Sequence, residues 1–86
     1  MTARLRAQHE AEVPGTRYHV GVEVFEDPDE GYFTARYHAR TYSGVRVTSS
    51  HSTDPVRLSA ATLEAARGEA SRGLHDFAAL YSEVDR

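Results

Sequence analysis

Apolar and polar residues alternate with a period of two through much of the first half of the chain, then switch to a helical period. Over Arg17–Glu26, Tyr18, Val20, Val22 and Val24 share one face, and Arg17, His19, Gly21, Glu23 and Phe25 share the other. That is the pattern of a strand with one buried face. The run Glu26-Asp27-Pro28-Asp29-Glu30-Gly31 reads as a turn. Alternation resumes over Tyr32–Tyr42, with Phe33, Ala35, Tyr37, Ala39 and Thr41 inward. Tyr42-Ser43-Gly44 then reads as a three-residue hairpin loop with a G1 bulge at Gly44. Val45–Ser50 is the third strand, with Val45 and Val47 inward, and His51–Pro55 is a polar connector.

Ser59 is the expected N-cap of a helix running to about Val84. Leu63, Ala70, Phe77 and Val84 recur every seven residues, Ala66, Gly73 and Leu80 fall between them, and Leu74 and Tyr81 widen the stripe. Gly73 lies on the stripe, where it permits close approach to the sheet; Gly68 lies off it. Residues 1–15 form a polar arm closed by Pro14-Gly15, ahead of a domain spanning 16–86. A short helix over Thr2–Glu12 is expected to dock only loosely, because its Arg-first, Glu-last charge order opposes the helix dipole. The predicted class is α+β: a three-stranded antiparallel β-meander packed on one long C-terminal helix, with the short N-terminal helix in front. A helix of about 26 residues, about 39 Å long, overhangs such a sheet. Its end (Phe77, Leu80, Tyr81, Val84) is a candidate dimer contact.

The faces limit the strand register to a few choices. Pairing Val24 with Phe33 sets Arg17 opposite Arg40 and His19 opposite His38, with Arg36 beside Gly21. Closing the second hairpin over Tyr42-Ser43-Gly44 brings Arg46 opposite Arg40 and Thr48 opposite His38. This reading aligns Arg17, Arg40 and Arg46 across three strands of the open face, a costly arrangement for like charges unless the heads splay into water, as on any solvated sheet face, or an anionic partner uses them.

Composition narrows the function. The chain has 86 residues, 40% hydrophobic, and twelve of its apolar residues are Ala, so the predicted core is thin and invites a partner chain. Cys is absent, which excludes disulfides, thiolate metal sites and thiol catalysis. No apolar run approaches the roughly 20 residues of a spanning helix, and no apolar h-region follows Met1–Leu5; the expectation is a cytoplasmic protein. Every basic side chain is Arg, and Lys, Ile and Asn are absent. Two readings of this stay open: a GC-rich coding sequence, or guanidinium groups chosen for bidentate anion recognition. The net charge of −3 opposes nucleic-acid binding through bulk charge.

No nucleophile elbow, oxyanion motif or Gly-rich phosphate loop is present, so no catalytic role and no cofactor is expected. His19 and His38 make a pair without a third ligand, too few for a metal site. The acids Glu26, Asp27, Asp29 and Glu30 do not follow EF-hand spacing and read as a solvated turn that can meet a basic partner.

Residues 24–33, Val-Phe-Glu-Asp-Pro-Asp-Glu-Gly-Tyr-Phe, resemble the first hairpin of HicB-like antitoxins, and Thr62-Leu63-Glu64-Ala65-Ala66 resembles the opening of that family's helix. Tyr42-Ser43-Gly44 stands where the family carries Pro-Asp-Leu-Pro-Gly-Cys. The resemblance, over roughly residues 18–80, implies a β-β-β-α module that binds and blocks another protein, commonly a small ribonuclease toxin, and often dimerises. The predicted element order is also similar to that of double-stranded-RNA-binding domains. Those need a basic cluster opening the last helix, and Ser59–Ala66 carries no basic residue.

The expectation is therefore a non-enzymatic protein-binding module, an inhibitor or antitoxin-like protein acting on a toxin, nuclease or defence component of a bacterium or phage, and a homodimer. Its expected contact is the open sheet face (Arg17, His19, Arg36, His38, Arg40, Arg46), then the acidic turn (Glu26, Asp27, Asp29, Glu30). The alternative is a nucleic-acid binder using those arginines, with Tyr32 and Tyr42 stacking on bases.

Overall fold

The computed structural model describes residues 3–84, the side chains of Glu83 and Val84 excepted. In chain order it contains β1 (Arg4–Glu12), β2 (Tyr18–Glu26), β3 (Phe33–Ser43), β4 (Arg46–Ser52), β5 (Val56–Arg57) and α1 (Leu63–Val84). The strands form one antiparallel sheet in the order β1-β2-β3-β4, with the two-residue β5 also paired to β3. The class is α+β, with a C-terminal helix on an antiparallel meander.

The N-terminal arm corrects the reading from sequence. Described from residue 3, it is a nine-residue strand rather than a helix, and it pairs with β2 from Arg4 to Glu12 with a bulge at Arg6, between Leu5 and Ala7. Its physical basis is a period of two: Ala7, His9 and Ala11 stand opposite Val24, Val22 and Val20 on the covered face, while Gln8, Glu10 and Glu12 face outward. Pro14-Gly15 does not end a loose arm but makes the hairpin. Thr16 N–H donates to the Val13 carbonyl at 3.1 Å, and Gly15 has φ +76°, as a type II turn requires.

Both later hairpins close differently from expectation. Asp27 N–H donates to the Tyr32 carbonyl and Gly31 N–H to the Asp27 carbonyl, both at 2.9 Å, so the turn between β2 and β3 is tight. This moves the register by two residues: Val24 pairs with Ala35, Val20 with Ala39 and Tyr18 with Thr41. The faces survive the shift because the side-chain period is two. The next turn uses Gly44-Val45, with Gly44 at φ +65°, so Ser43 pairs with Arg46 and Tyr42 with Val47. The ladder then slips by one residue before Thr41 meets Ser49. Val45 is therefore 99% exposed at the turn and Val47 is 47% exposed, neither of them inward. Of the connector read over His51–Pro55, His51 and Ser52 instead extend β4, and the short β5 follows it.

The core is one cluster between the sheet and α1. Val20, Val22 and Val24 are fully buried beneath Ala66, Ala70 and Leu74, with Val13, Phe33, Ala35, Ala39 and Leu58 around them. The helix begins later than expected: Thr62 is its cap, its hydroxyl accepting from Ala65 N–H at 3.2 Å. Ser59 is instead held by Glu69. That carboxylate accepts from the Ser59 N–H, the Ser59 hydroxyl (2.9 Å) and the Ala60 N–H, which clamps the incoming segment to the second turn of the helix.

Two carboxylates thus hold the fold by accepting hydrogen bonds. The N–H groups of Glu30 and then Asp29 lower the Asp27 pKa from its ordinary value, and the N–H and hydroxyl of Ser59 lower that of Glu69. A folded-state pKa below the unfolded one adds stability above the unfolded value and loses it as pH falls through the folded value. The urea midpoint is accordingly expected to fall from about pH 5 downward. Asp27→Asn, whose amide oxygen still accepts, should keep the turn and flatten part of that slope. A slope unchanged by both Asp27→Asn and Glu69→Gln contradicts the assignment.

Candidate functional site, the open sheet face

Alpha helix α1 covers one face of the sheet, and nothing among the described residues covers the other. The register assembles this open face in rows. Glu12, His19, Arg40 and Ser50 lie in line across β1 to β4, as do Glu10, Gly21, His38 and Ser52; Gln8, Glu23 and Arg36 form the next row. The strip along β1 is acidic and the strip along β3 is basic, with two imidazoles between them.

The rows replace the predicted ones. Arg40 faces His19 and Ser50 rather than Arg17 and Arg46, and Arg36 faces Glu23 rather than Gly21. The like-charge row is gone, removed by the same two-residue shift of the β2–β3 register. Arg17 stays on this face beside Tyr42, whose N–H donates to the Arg17 carbonyl at 3.1 Å. Arg46 pairs with Ser43, on the opposite face from Arg40, and is not part of the site.

The imidazoles are held in place. His19 packs against Tyr42 with ring centroids 4.3 Å apart and planes tilted by 49°, and its Nε2 lies 3.9 Å from a Glu12 oxygen. The His38 ring lies over Gly21: a Cβ there would come within 2.5 Å of His38 Cε1 and 3.1 Å of the His9 carbonyl. Glycine makes the seat for this ring, and His38 Nε2 reaches 3.9 Å from a Glu10 oxygen. Arg36 and Arg40 are exposed and form no ion pair among the described residues. Beyond Arg36 the face dips into a small groove lined by Ala3, Phe25, Thr34 and Pro55.

The acidic turn divides into structural and free groups. Asp27 accepts from Asp29 N–H at 2.9 Å and Glu30 N–H at 2.8 Å, and Glu26 pairs with Arg6. Of these four acids only Asp29 and Glu30 are exposed. Nearby, the Arg57 guanidinium sits 4.3 Å over the Tyr32 ring, so Tyr32 is already stacked. At the helix end, Phe77 and Tyr81 turn inward against Tyr37 and Tyr18, Leu80 is 59% exposed, and the Val84 side chain lies outside the described residues.

Sequence reasoning missed Glu10, Glu12 and Gly21. The carboxylates were hidden by the helical reading of the arm, although the Ala7-His9-Ala11-Val13 alternation carries the strand signal. Gly21 interrupts a Val-rich strand, a mark of close approach. No grouping of three or more His, Cys, Asp or Glu able to hold a metal occurs among the described residues, and none of the helices described is long and apolar enough to cross a membrane. No family model, no curated protein and no solved structure matches this chain.

Proposed function

We propose that the chain is a non-enzymatic protein-binding module, inhibitor- or antitoxin-like, that contacts its partner through the open sheet face. Tyr42, Arg40 and His19 form one anchor, and Arg36 beside the Phe25–Pro55 groove forms the other. Aromatic and Arg side chains of this kind dominate protein interfaces. The observation that carries the reading is the mixed charge of the face: Glu10 and Glu12 on β1 stand across β2 from Arg36 and Arg40 of β3, which form no ion pair among the described residues. A nucleic-acid backbone approaching those arginines also meets the carboxylates, whereas a protein surface can match both signs. The HicB-like resemblance of residues 24–33 points to the same class of activity.

The test places a photo-crosslinking residue at position 42 in the native host, with position 72 on the far side of the helix as control. A discrete protein adduct from position 42 and none from position 72 is expected. Adducts to RNA or DNA, together with binding to nucleic acid that weakens steeply with salt, support the alternative in which Arg36, Arg40 and Tyr42 hold a nucleic acid.

A further inference from the structure

The sheet has two free edges, and they are guarded differently. Strand β1 carries Arg4, Arg6, Glu10 and Glu12 and is bulged at Arg6. Charge and bulges of this kind discourage pairing with another strand. Strand β4 has neither over Ser49–Ser52, with no Arg, acid or Pro there, and all seven of its residues are exposed. Thr53 N–H donates to the Tyr37 carbonyl at 2.9 Å, so by antiparallel alternation His51 and Ser49 also turn their backbone groups to β3. Ser50 and Ser52 turn theirs outward, where no strand among the described residues meets them. The extra residue Thr48 of the ladder slip bounds this open stretch at one end, and Pro55 bounds it at the other.

Granted the open face as the protein contact, we infer that the Ser49–Ser52 edge of β4 takes up an extended segment of that partner as an added strand, one that alternates acidic and apolar side chains. On the open face Ser50 lies beside Arg40 and Ser52 beside His38. An added strand stands two strand spacings from β3, about 10 Å. The serines between are too short to block that gap, and an extended Arg and an extended Glu span it together. Arg40, which forms no ion pair among the described residues, thus reaches a carboxylate of the guest across Ser50. The surroundings favour the same sign: β3, β4 and β5 carry Arg36, Arg40, Arg46 and Arg57 and no acid. A second copy of β4 brings no carboxylate to this edge, so self-pairing leaves Arg40 unmatched.

The helix side supplies the apolar half of the pattern. His51 stands opposite Ala39 on that side, and with Phe77, Leu80 and Tyr81 it lines a groove of ≈ 330 Å³. Helix α1 packs on β1, β2 and β3 and leaves β4 uncovered, with Leu80 59% exposed. Side chains of a strand alternate between the two faces, so a guest with acids beside Ser50 and Ser52 turns its intervening residues toward this groove. Main-chain hydrogen bonds to Ser50 and Ser52 give such a guest affinity, and the two unlike faces give it selectivity.

Nuclear magnetic resonance titration of the full chain tests this. The probe is a capped peptide of alternating Glu and Leu, and the control is the same peptide with Lys for Glu. The Glu peptide should shift the Ser50 and Ser52 amide resonances, slow their hydrogen exchange and shift the Leu80 methyls. Ser50→Pro removes an outward N–H but no bond of the β3 ladder, and should weaken binding about tenfold, the worth of one lost hydrogen bond. Arg40→Gln, at an exposed side chain, should weaken it too and keeps the test open if the proline variant does not fold. Ser50 and Ser52 amides unmoved at millimolar peptide overturn the inference, as does equal binding of the Lys peptide. Exchange protection of these amides that grows with protein concentration, without peptide, assigns the edge to a second copy and also overturns it. A partner that crosslinks at position 42 yet binds Ser50→Pro as tightly as the wild type overturns the added strand and leaves the open-face contact standing.

Discussion

Truncating Phe77 to alanine should lower the unfolding free energy by about 3 kcal/mol. Its ring sits 5.6 Å from Tyr37 and 5.2 Å from Tyr81, and Tyr81 continues the line to Tyr18 at 4.8 Å. This row of four rings joins the second half of α1 to β2 and β3. Elsewhere the helix touches the sheet mainly through Ala66, Ala70 and Leu74, two of them methyl groups. Burial holds the Tyr37 and Tyr81 hydroxyls above their ordinary pKa, which keeps both neutral across the working range. A domain of this size has a total stability of about 5–10 kcal/mol, so the loss should move the thermal midpoint by roughly 15 °C. Leu80→Ala, three residues on and exposed, should change it by less than about 0.5 kcal/mol. Equal effects at the two positions would mean that the helix end packs on something other than the sheet.

Two glycines of the same helix should respond to alanine in opposite directions. At Gly73 a Cβ meets the Tyr37 side chain, its Cζ at 2.8 Å and its Cε1 at 3.3 Å, and also the Tyr37 hydroxyl. The ring must leave its place, which breaks the aromatic row at its first member. The gain in helix propensity, about 1 kcal/mol, is smaller than the cost of overpacking, about 1–3 kcal/mol. Gly73→Ala should therefore be destabilising, by up to about 2 kcal/mol. At Gly68 the nearest atom to a Cβ is the Arg72 guanidinium at 3.7 Å, an ordinary contact. Gly68→Ala keeps the propensity gain and should stabilise by about 0.5–1 kcal/mol. Urea unfolding of the two variants side by side measures the contrast; a stabilised Gly73→Ala would mean that Tyr37 does not cross the helix there.

The elements that sequence made legible are those whose pattern is strong and local. The Val20-Val22-Val24 alternation and the Phe33–Thr41 alternation fix two strands and their faces, and the heptad spacing from Leu63 fixes the helix. The role of Gly73 was readable because it lies on the apolar stripe beside Ala66 and Ala70. Strand β1 was obscured because its inward positions are Ala7, His9 and Ala11, too weakly apolar to outweigh a helix-compatible composition. What makes it a strand is the neighbouring β2, a tertiary cause. Register was hidden for a related reason. A two-residue slip leaves every face unchanged, so the choice falls to turn chemistry: the Asp27 side chain bonding two N–H groups, and Gly44 at the first turn position.

The site inherits both outcomes. His19, Arg36, His38 and Arg40 were placed on the open face correctly, because face assignment needs only the period of two. Their neighbours were not. The arginine row that suggested an anion dissolves once His19 faces Arg40, and the acidic strip of β1 appears only when the arm becomes a strand. That exchange replaces a row suited to an anion with a mixed-charge face, which favours the protein contact expected from sequence over the nucleic-acid alternative.

The most direct measurement of that reading is the affinity of the partner captured from position 42 for the wild type and for Arg36→Glu with Arg40→Glu. Both side chains are exposed, so the fold should be kept. Binding is expected to weaken by about 100-fold or more, as for reversal of central interface charges, while Asp29→Arg with Glu30→Arg at the remote turn changes it only a few-fold. Unchanged affinity in the arginine variant, with loss in the turn variant, would contradict the open face as the contact.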